Sequence, residues 1–368
     1  MGIIKTYGID SMGFFVPEFS LDIRKLCEYR GKNYDNQLAK IGQKRISLTF
    51  KTPSEMAYEA LKDVMSHDAA LDIGKVGRLV VATETPEDLA TPKIGLYVHD
   101  KAGLSSDCEV YEVRAACAAG GYALLDSIRW CKENKDRKAV VLCTDIAKYD
   151  VGSAEPTQGS GAVAIVVDSN PTLLRIDTRR TGTFSKKVDD FCRPVGRDMP
   201  IVNGPLSLEC YHKAIEEVDG NFYRNGGKIP DYYTNLVFHI PFPRILDRAH
   251  LDEDFILKRH NIAITKGNFQ NYTKRDRLYN QFIGNAYTAS SFFALASLLE
   301  ILLSEEKLTR GGEVRFIFYG SGCTAKTFSG RLTDNSTSVV SKFRLGERLL
   351  DQHDMPIEEY EKWREQRI

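Results

Sequence analysis

Short β-branched runs alternate with longer helical patterns along the first half of the chain: GRLVVATE at 77–84, CEVYEVRA at 108–115, KAVVLCTD at 138–145 and GAVAIVVD at 161–168. Runs such as VVL and AVAIVV contain no polar alternation. They predict strands covered on both faces, and so a sheet inside the molecule with helices on each side. The rhythm returns after about residue 170 with LLRIDTRRTGT, NLVFHIPF at 235–242, a strongly apolar helix over 286–303 and EVRFIFYGSG at 313–322. No repeated sequence period is visible, so the duplication rests on the order of elements alone. The pattern predicts an α/β protein of two halves, 1–168 and 169–368. The second half ends in a charged tail from about 331, with enough periodic Leu, Tyr and Trp for a terminal helix packed on the surface. RRTGTFSKKVDDFCRPVGRDMP, at 179–200, fits neither strand nor helix and is expected to be an extended excursion that reaches a site or a partner subunit.

Composition narrows the picture. At 368 residues the chain exceeds the size at which one hydrophobic core stops growing, in keeping with two halves. Fifty Lys+Arg balance fifty Asp+Glu, which argues against a broad nucleic-acid footprint and leaves room for a local basic patch that receives a phosphorylated ligand. MGIIKTYGID lacks the apolar core of a signal peptide, and no stretch reaches about 20 apolar residues, so a cytoplasmic location is expected. Gly2 and Thr6 nominally fit a myristoylation pattern, which is short enough to match by chance. The eight cysteines form no CxxC pair and no Cys/His cluster; reduced, buried thiols are expected, with no disulfide framework and no metal site.

Three residues stand out chemically. Cys117 lies in RAACAAGGYALL, where a strand gives way to a helix and small neighbours leave the sulfur uncrowded. A helix N-terminus favours a thiolate, the attacking species, although a small buried thiol before a helix fits the same pattern. Glu84 ends the run VVATE at the carboxyl edge of a strand, where ligands of α/β sheets gather. An apolar setting raises its proton affinity towards the range of a general acid/base; a solvated strand-end Glu is the plain alternative. His239, in VFHIPFP, ends an apolar run before two prolines, in place to polarise a carbonyl or simply to sit satisfied in the core. YGSGC at 319–323 offers a tight turn whose backbone N–H groups are candidates for an oxyanion hole, with Cys323 as a second, weaker nucleophile, and QGSGAV at 158–163 reads as a close-packing turn into a strand.

ETPED, RAAC, TDIAKYD, AEPTQGSGAVAIVV, PIVNGPLS, VFHIPF, GNAYTAS and YGSG occur in an order and spacing that resembles the 3-hydroxy-3-methylglutaryl-CoA synthases, the bacterial type in particular, over about residues 3–330. The resemblance implies the thiolase-like fold, two similar α/β halves stacked as five αβαβα layers, and a homodimer. It implies that Cys117 is acylated by acetyl-CoA, Glu84 is the general acid/base and His239 orients and polarises acetoacetyl-CoA, with no metal or organic cofactor beyond the coenzyme A thioesters. By the same resemblance Asp88 and Asp145 support the site, Asn203, Asn285, Tyr319 and Ser321 match substrate-binding or supporting positions, and Arg244 and Arg248 face the coenzyme A phosphates.

Three departures bear on the substrate. Ala118 replaces a usual Tyr and is expected to enlarge the acyl pocket, Asn203 replaces an acidic residue, and Cys323 follows YGSG where Ser or another small residue is common. Two rival functions follow. One is a β-branching homologue acting on a carrier-protein-bound β-ketoacyl group in polyketide synthesis, for which Arg179, Arg180, Lys186 and Lys187 are candidate docking charges. The other is a non-catalytic acyl-CoA-binding or scaffold protein.

Overall fold

A computed structural model describes residues 6–68, 71–152, 154–228, 235–248 and 273–366; Gly2 of the myristoylation pattern lies outside them. The core elements of the first half are β1 (Tyr7–Phe15), α1 (Pro53–His67), β2 (Val76–Ala82), α2 (Lys93–Ala102), β3 (Glu109–Val113), α3 (Ala119–Glu133), β4 (Lys138–Ala147) and β5 (Gly159–Ser169). They are followed by β6 (Leu174–Ser185), α4 (Gly204–Arg224), β7 (Asn235–Phe238), α5 (Ser290–Ser304), β8 (Glu313–Gly320), β9 (Thr324–Leu332) and α6 (Ile357–Glu365).

The nine strands lie in the order β7-β8-β9-β6-β1-β5-β4-β2-β3. Each half carries its parallel pairing at the outer edge, β4-β2-β3 in one and β8-β7 in the other, and its antiparallel strands towards the centre. Within the sheet, and among the described residues, the two halves pair where Gly8 and Ile9 of β1 meet Arg175 and Leu174 of β6. In this arrangement β2 and β7 hold the same place, and so do β4 and β8.

The layers follow from the side-chain alternation inside the apolar runs. Leu79, Val81, Val140, Leu142, Ala164 and Val166 face α1, α2 and α6. Their neighbours Val80, Ala82, Val141, Cys143, Val163 and Ile165 face α3 and α5. The other side of that central helical layer meets Val314, Phe316, Phe318 and Phe328 of the second half, and α4 covers the far face. The result is the five-layer αβαβα sandwich of a thiolase-like fold. α3 comes close to β8 because position 121 is glycine: a Cβ there would lie 2.5 Å from the Phe318 ring.

Two expectations change. The segment Tyr287–Ser304 is apolar enough for a membrane span by composition, with a mean hydropathy of 1.4, but 78% of it is buried inside the protein as the core of the central layer. The terminal helix is no surface ornament either. Tyr360 and Trp363 are fully buried, the Trp363 indole N–H donates to the Thr49 carbonyl at 2.9 Å, and Lys148 Nζ donates to the carbonyls of Trp363 and Gln366. Glu155, also fully buried, accepts from Arg30 at 2.7 Å and from the Tyr360 hydroxyl at 3.0 Å, tying α6 to the QGSGAV turn. Gln158 of that turn bonds the Tyr149 N–H and the Tyr360 hydroxyl.

Candidate active site

Glu84 stands in the turn that leaves β2, and the turn is fixed by a carboxylate from the neighbouring strand. Asp145 Oδ1 accepts from the Thr83 hydroxyl at 2.9 Å, the Glu84 N–H at 2.7 Å, and the Thr85 N–H and hydroxyl at 3.0 and 2.9 Å. Its Oδ2 accepts from the Thr288 N–H and hydroxyl at 3.0 and 2.6 Å, binding in the turn that precedes α5. Asp145 therefore supports the site, with every oxygen committed. The Glu84 carboxyl is left pointing at Cys117, whose Sγ lies 3.4 Å from Oε1. Burial, and then the Asp145 charge, push the Glu84 carboxyl up to about 8, in the range of a general acid/base.

Cys117 sits on a tight turn between β3 and α3. Ala116 before it has a positive φ of 47°, and the Ala118 and Ala119 N–H groups bond back to the carbonyls of Ala115 and Ala116. Gly320 of YGSG packs directly on this turn, since a Cβ there would lie 2.4 Å from the Ala115 oxygen; no larger residue lets β8 come so near the nucleophile. The thiolate expected from the helix N-terminus is not the resting state. Burial, followed by the Glu84 and Asp145 charges, pushes the Cys117 thiol well up. Thiol and carboxyl form a coupled pair, an arrangement in which a carboxylate at Glu84 can take the thiol proton.

Cys117 opens on a cavity of about 370 Å³ that is also lined by His239, Tyr149, Phe191, Arg248, Asn285, Tyr287, Tyr319 and Ser321. His239 follows β7 as the sequence predicts. Its N–H donates to the Ile317 carbonyl at 3.1 Å and its own carbonyl accepts from the Tyr211 hydroxyl at 2.7 Å. The ring is buried, which lowers its proton affinity to about 3, and Nδ1 has no hydrogen-bond partner among the described residues. It is a neutral imidazole with a hydrogen-bonding position in reserve for a ligand.

The supporting residues divide sharply. Asn285 is at the cavity but donates to the Tyr149 hydroxyl at 3.0 Å and accepts from the Tyr287 N–H at 3.0 Å, so it holds the walls. Asp88 lies outside the cavity and closes its own turn by accepting from the Ala90 and Thr91 N–H groups. Asn203 caps α4 through the Leu206 N–H, and Arg244 pairs with Asp247 at 3.3 Å; neither lines the cavity, whereas Arg248 does. Ala118 does not enlarge the acyl space: it is fully buried in the core, and Tyr149, Tyr287 and Phe191 close the space around Cys117 instead. Cys323 is also absent from the cavity, with Sγ turned to the Cys210 carbonyl at 4.0 Å.

The excursion at 179–200 does reach the site. Phe191 enters the cavity and meets the Tyr287 ring edge-on at 6.1 Å, and Arg193 Nη1 donates to the Glu84 carbonyl at 2.6 Å. Asp190 accepts from the Gly322 N–H at 2.8 Å and the Tyr319 hydroxyl at 3.2 Å. The DDFCRP stretch carried all three, yet nothing in its spacing distinguishes these residues from a solvated loop.

Comparison with known proteins accounts for nearly the whole chain. The family description "Hydroxymethylglutaryl-coenzyme A synthase N terminal" matches residues 3–172, and "Hydroxymethylglutaryl-coenzyme A synthase C terminal" matches 244–368. The Hydroxymethylglutaryl-CoA synthase of Enterococcus faecalis is 30% identical across 97% of this chain and 91% of its own length. The chain belongs to the hydroxymethylglutaryl-CoA synthase family. Among solved structures, MvaS in complex with 3-hydroxy-3-methylglutaryl coenzyme A superposes with a TM-score of 0.89 at 28% identity, over 98% of this chain and 92% of that one. The family also contains carrier-protein enzymes. The Curacin Biosynthetic Pathway HMG Synthase in complex with Apo Donor-ACP gives a TM-score of 0.88 at 25% identity, over 98% and 88% of the two chains. The polyketide biosynthesis 3-hydroxy-3-methylglutaryl-ACP synthase of Bacillus subtilis is 26% identical over 96% of this chain and 87% of its own length.

Proposed function

We propose that this protein condenses acetyl-CoA with acetoacetyl-CoA and water to give 3-hydroxy-3-methylglutaryl-CoA and CoA, as a hydroxymethylglutaryl-CoA synthase of isoprenoid metabolism, in the cytoplasm. The observation that carries the reading is the Cys117 Sγ to Glu84 Oε1 contact of 3.4 Å beside a cavity that Cys117 and His239 both line. In the first step Glu84 takes the thiol proton, the sulfur attacks the acetyl carbonyl, and CoA leaves as its thiol with a proton returned from Glu84. Glu84, again a carboxylate, then removes a methyl proton from acetyl-Cys117. The enolate carbon attacks the ketone of acetoacetyl-CoA, whose oxygen His239 polarises and which takes the proton held on Glu84 to become the tertiary hydroxyl. Water finally cleaves the thioester to Cys117. The enolate oxygen needs fixed donors. The Gly322 N–H is committed to Asp190 and the Cys117 N–H is turned to the Glu84 carboxyl, which leaves the Ser321 N–H as the candidate. These groups account for every step, so the proposal includes no cofactor beyond the thioester substrates.

Incubation with acetyl-CoA and intact mass measurement should show one acetyl group that is lost in Cys117→Ala, and acetoacetyl-CoA should discharge it as 3-hydroxy-3-methylglutaryl-CoA. An adduct that persists with acetoacetyl-CoA but clears with a carrier-bound acceptor supports the β-branching reading. For that reading the four candidate charges separate. Arg179 and Arg180 share a groove with Lys132 near the far end of α3, roughly 20 Å of helix from Cys117. Lys186 and Lys187 follow the end of β6, where the Lys186 N–H bonds the Cys323 carbonyl next to the YGSG turn, and they are the charges that reading retains. A homodimer is part of the proposal, with the unpaired outer edge of β3 available to it, and sedimentation of the pure protein tests it.

A further inference from the structure

The excursion between β6 and α4 touches both catalytic turns. It contains a small hairpin in which Phe191 and Cys192 pair with Val202 and Ile201, and the Asn203 N–H closes its base on the Asp190 carbonyl at 2.8 Å. Side chains alternate along it: Asp190 and Phe191 are turned inward, Cys192 is exposed, and Arg193 is turned inward again. At one end Asp190, itself fully buried, holds the YGSG turn through Gly322 and Tyr319, and is steadied by the Ser207 hydroxyl at 3.1 Å. At the other end Arg193 holds the main chain of Glu84. One tetrapeptide thus spans from the acid/base turn of the first half to the glycine turn of the second.

We propose that Asp190 and Arg193 form a positioning clasp that sets how the Glu84 carboxyl faces Cys117 and the YGSG turn, with Arg193 the residue that tunes the proton transfer. The inference rests on the function proposed above. Neither residue touches the reacting atoms. The groups facing Glu84 are Cys117 from the α3 turn, Asp145 from β4, Tyr149 after β4, Tyr287 before α5 and Arg193 from the hairpin. Both phenols are held neutral by burial, Asp145 raises the Glu84 carboxyl, and Arg193 is the cation that lowers it.

Removal of the guanidinium therefore moves the pH at which Glu84 ionises upward, and lets its turn relax. The test follows three rates in wild type, Arg193→Gln, Arg193→Lys and Asp190→Asn: Cys117 acetylation, exchange of acetyl methyl protons with D₂O, and condensation. Arg193→Gln is expected to slow Cys117 acetylation as well, because Glu84 takes the thiol proton in that step. Its exchange and condensation should fall on the order of 10- to 100-fold, as a sub-ångström to 1 Å misplacement costs, with the acid limb of the exchange profile shifted to higher pH. Arg193→Lys should restore the limb. An Arg193→Gln enzyme with wild-type exchange and an unmoved limb overturns the inference. If Arg193→Gln does not fold, Asp190→Asn decides: slower acetylation, about tenfold, with the limb unmoved is expected, and wild-type acetylation overturns the clasp. Failure of wild type itself to form the acetyl adduct strikes the proposed function instead, and is read before any variant.

Discussion

Glu84 follows β2 and His239 follows β7, the two strands that hold the same place in the two halves, yet the surroundings treat them in opposite ways. The first turn is bound to Asp145 by four donors, with two more from Thr288 fixing that carboxylate, and the Glu84 carboxyl already touches Cys117. At the second, the His239 main chain is held by the Ile317 carbonyl and the Tyr211 hydroxyl, and the imidazole keeps Nδ1 without a partner among the described residues. A base that must meet one sulfur and then one methyl group gains from rigidity, because misplacement by 1 Å costs rate. A group that meets an incoming carbonyl gains from an empty hydrogen-bonding position. The duplicated scaffold supplies equivalent strand ends, and local contacts give them different work.

The strongest break of this comparison is Cys117→Ala, which should remove the acetyl adduct and lower condensation by at least about 10⁴-fold, measured by intact mass and product formation. His239→Ala comes next. Condensation should fall by about 10² to 10⁴-fold while Cys117 acetylation stays within a few-fold, and Asn at the position should recover part of the loss as a neutral donor. Equal loss in both half-reactions would instead place His239 in the first step.

The pH profile sharpens the same contrast. Glu84 acts as a base from its ionised form, and its carboxyl is raised to about 8, so methyl-proton exchange should climb as pH rises through that value. The imidazole, lowered to about 3, is neutral throughout this range. A limb near 6.5 that disappears in His239→Asn would reverse the assignment.

Smaller effects compare the anchoring of the two turns. Asp145→Ala strands six donors and should destabilise the fold by about 3 to 5 kcal/mol. Tyr211→Phe removes one bond to the His239 carbonyl and should cost about 1 to 2 kcal/mol. Chemical denaturation of both variants gives the ratio, and similar costs would show that the first turn is held by packing rather than by Asp145.

Much of the site was legible because strand ends and helix starts leave local marks. VVATE, RAAC and VFHIPF placed Glu84, Cys117 and His239 at strand ends and a helix start, and the fold then brought Cys117 and His239 to one cavity with Glu84 against the Cys117 sulfur. The supporting positions were harder. Asp88, Asn203 and Arg244 match family positions, but their partners lie two or three residues away in their own turns, and such local bonds look the same in sequence as a contact across the molecule. Ala118 was misjudged for a related reason: the direction of a side chain at a helix start depends on where the neighbouring layer lies.

By itself the sequence determined the α/β class, the duplicated order of elements, the buried sheet and the positions of Glu84, Cys117 and His239 at element ends, because each is written in a periodicity of two or 3.6 residues or in a break of that periodicity. Only the tertiary structure decided that Cys117 rests as a thiol against Glu84, that Asp145 binds two distant turns, and that Asp190 and Arg193 join the halves. Those facts depend on burial and on contacts between residues tens to hundreds of positions apart. Neither composition nor local pattern carries the desolvation and the converging hydrogen bonds that set a buried group's charge.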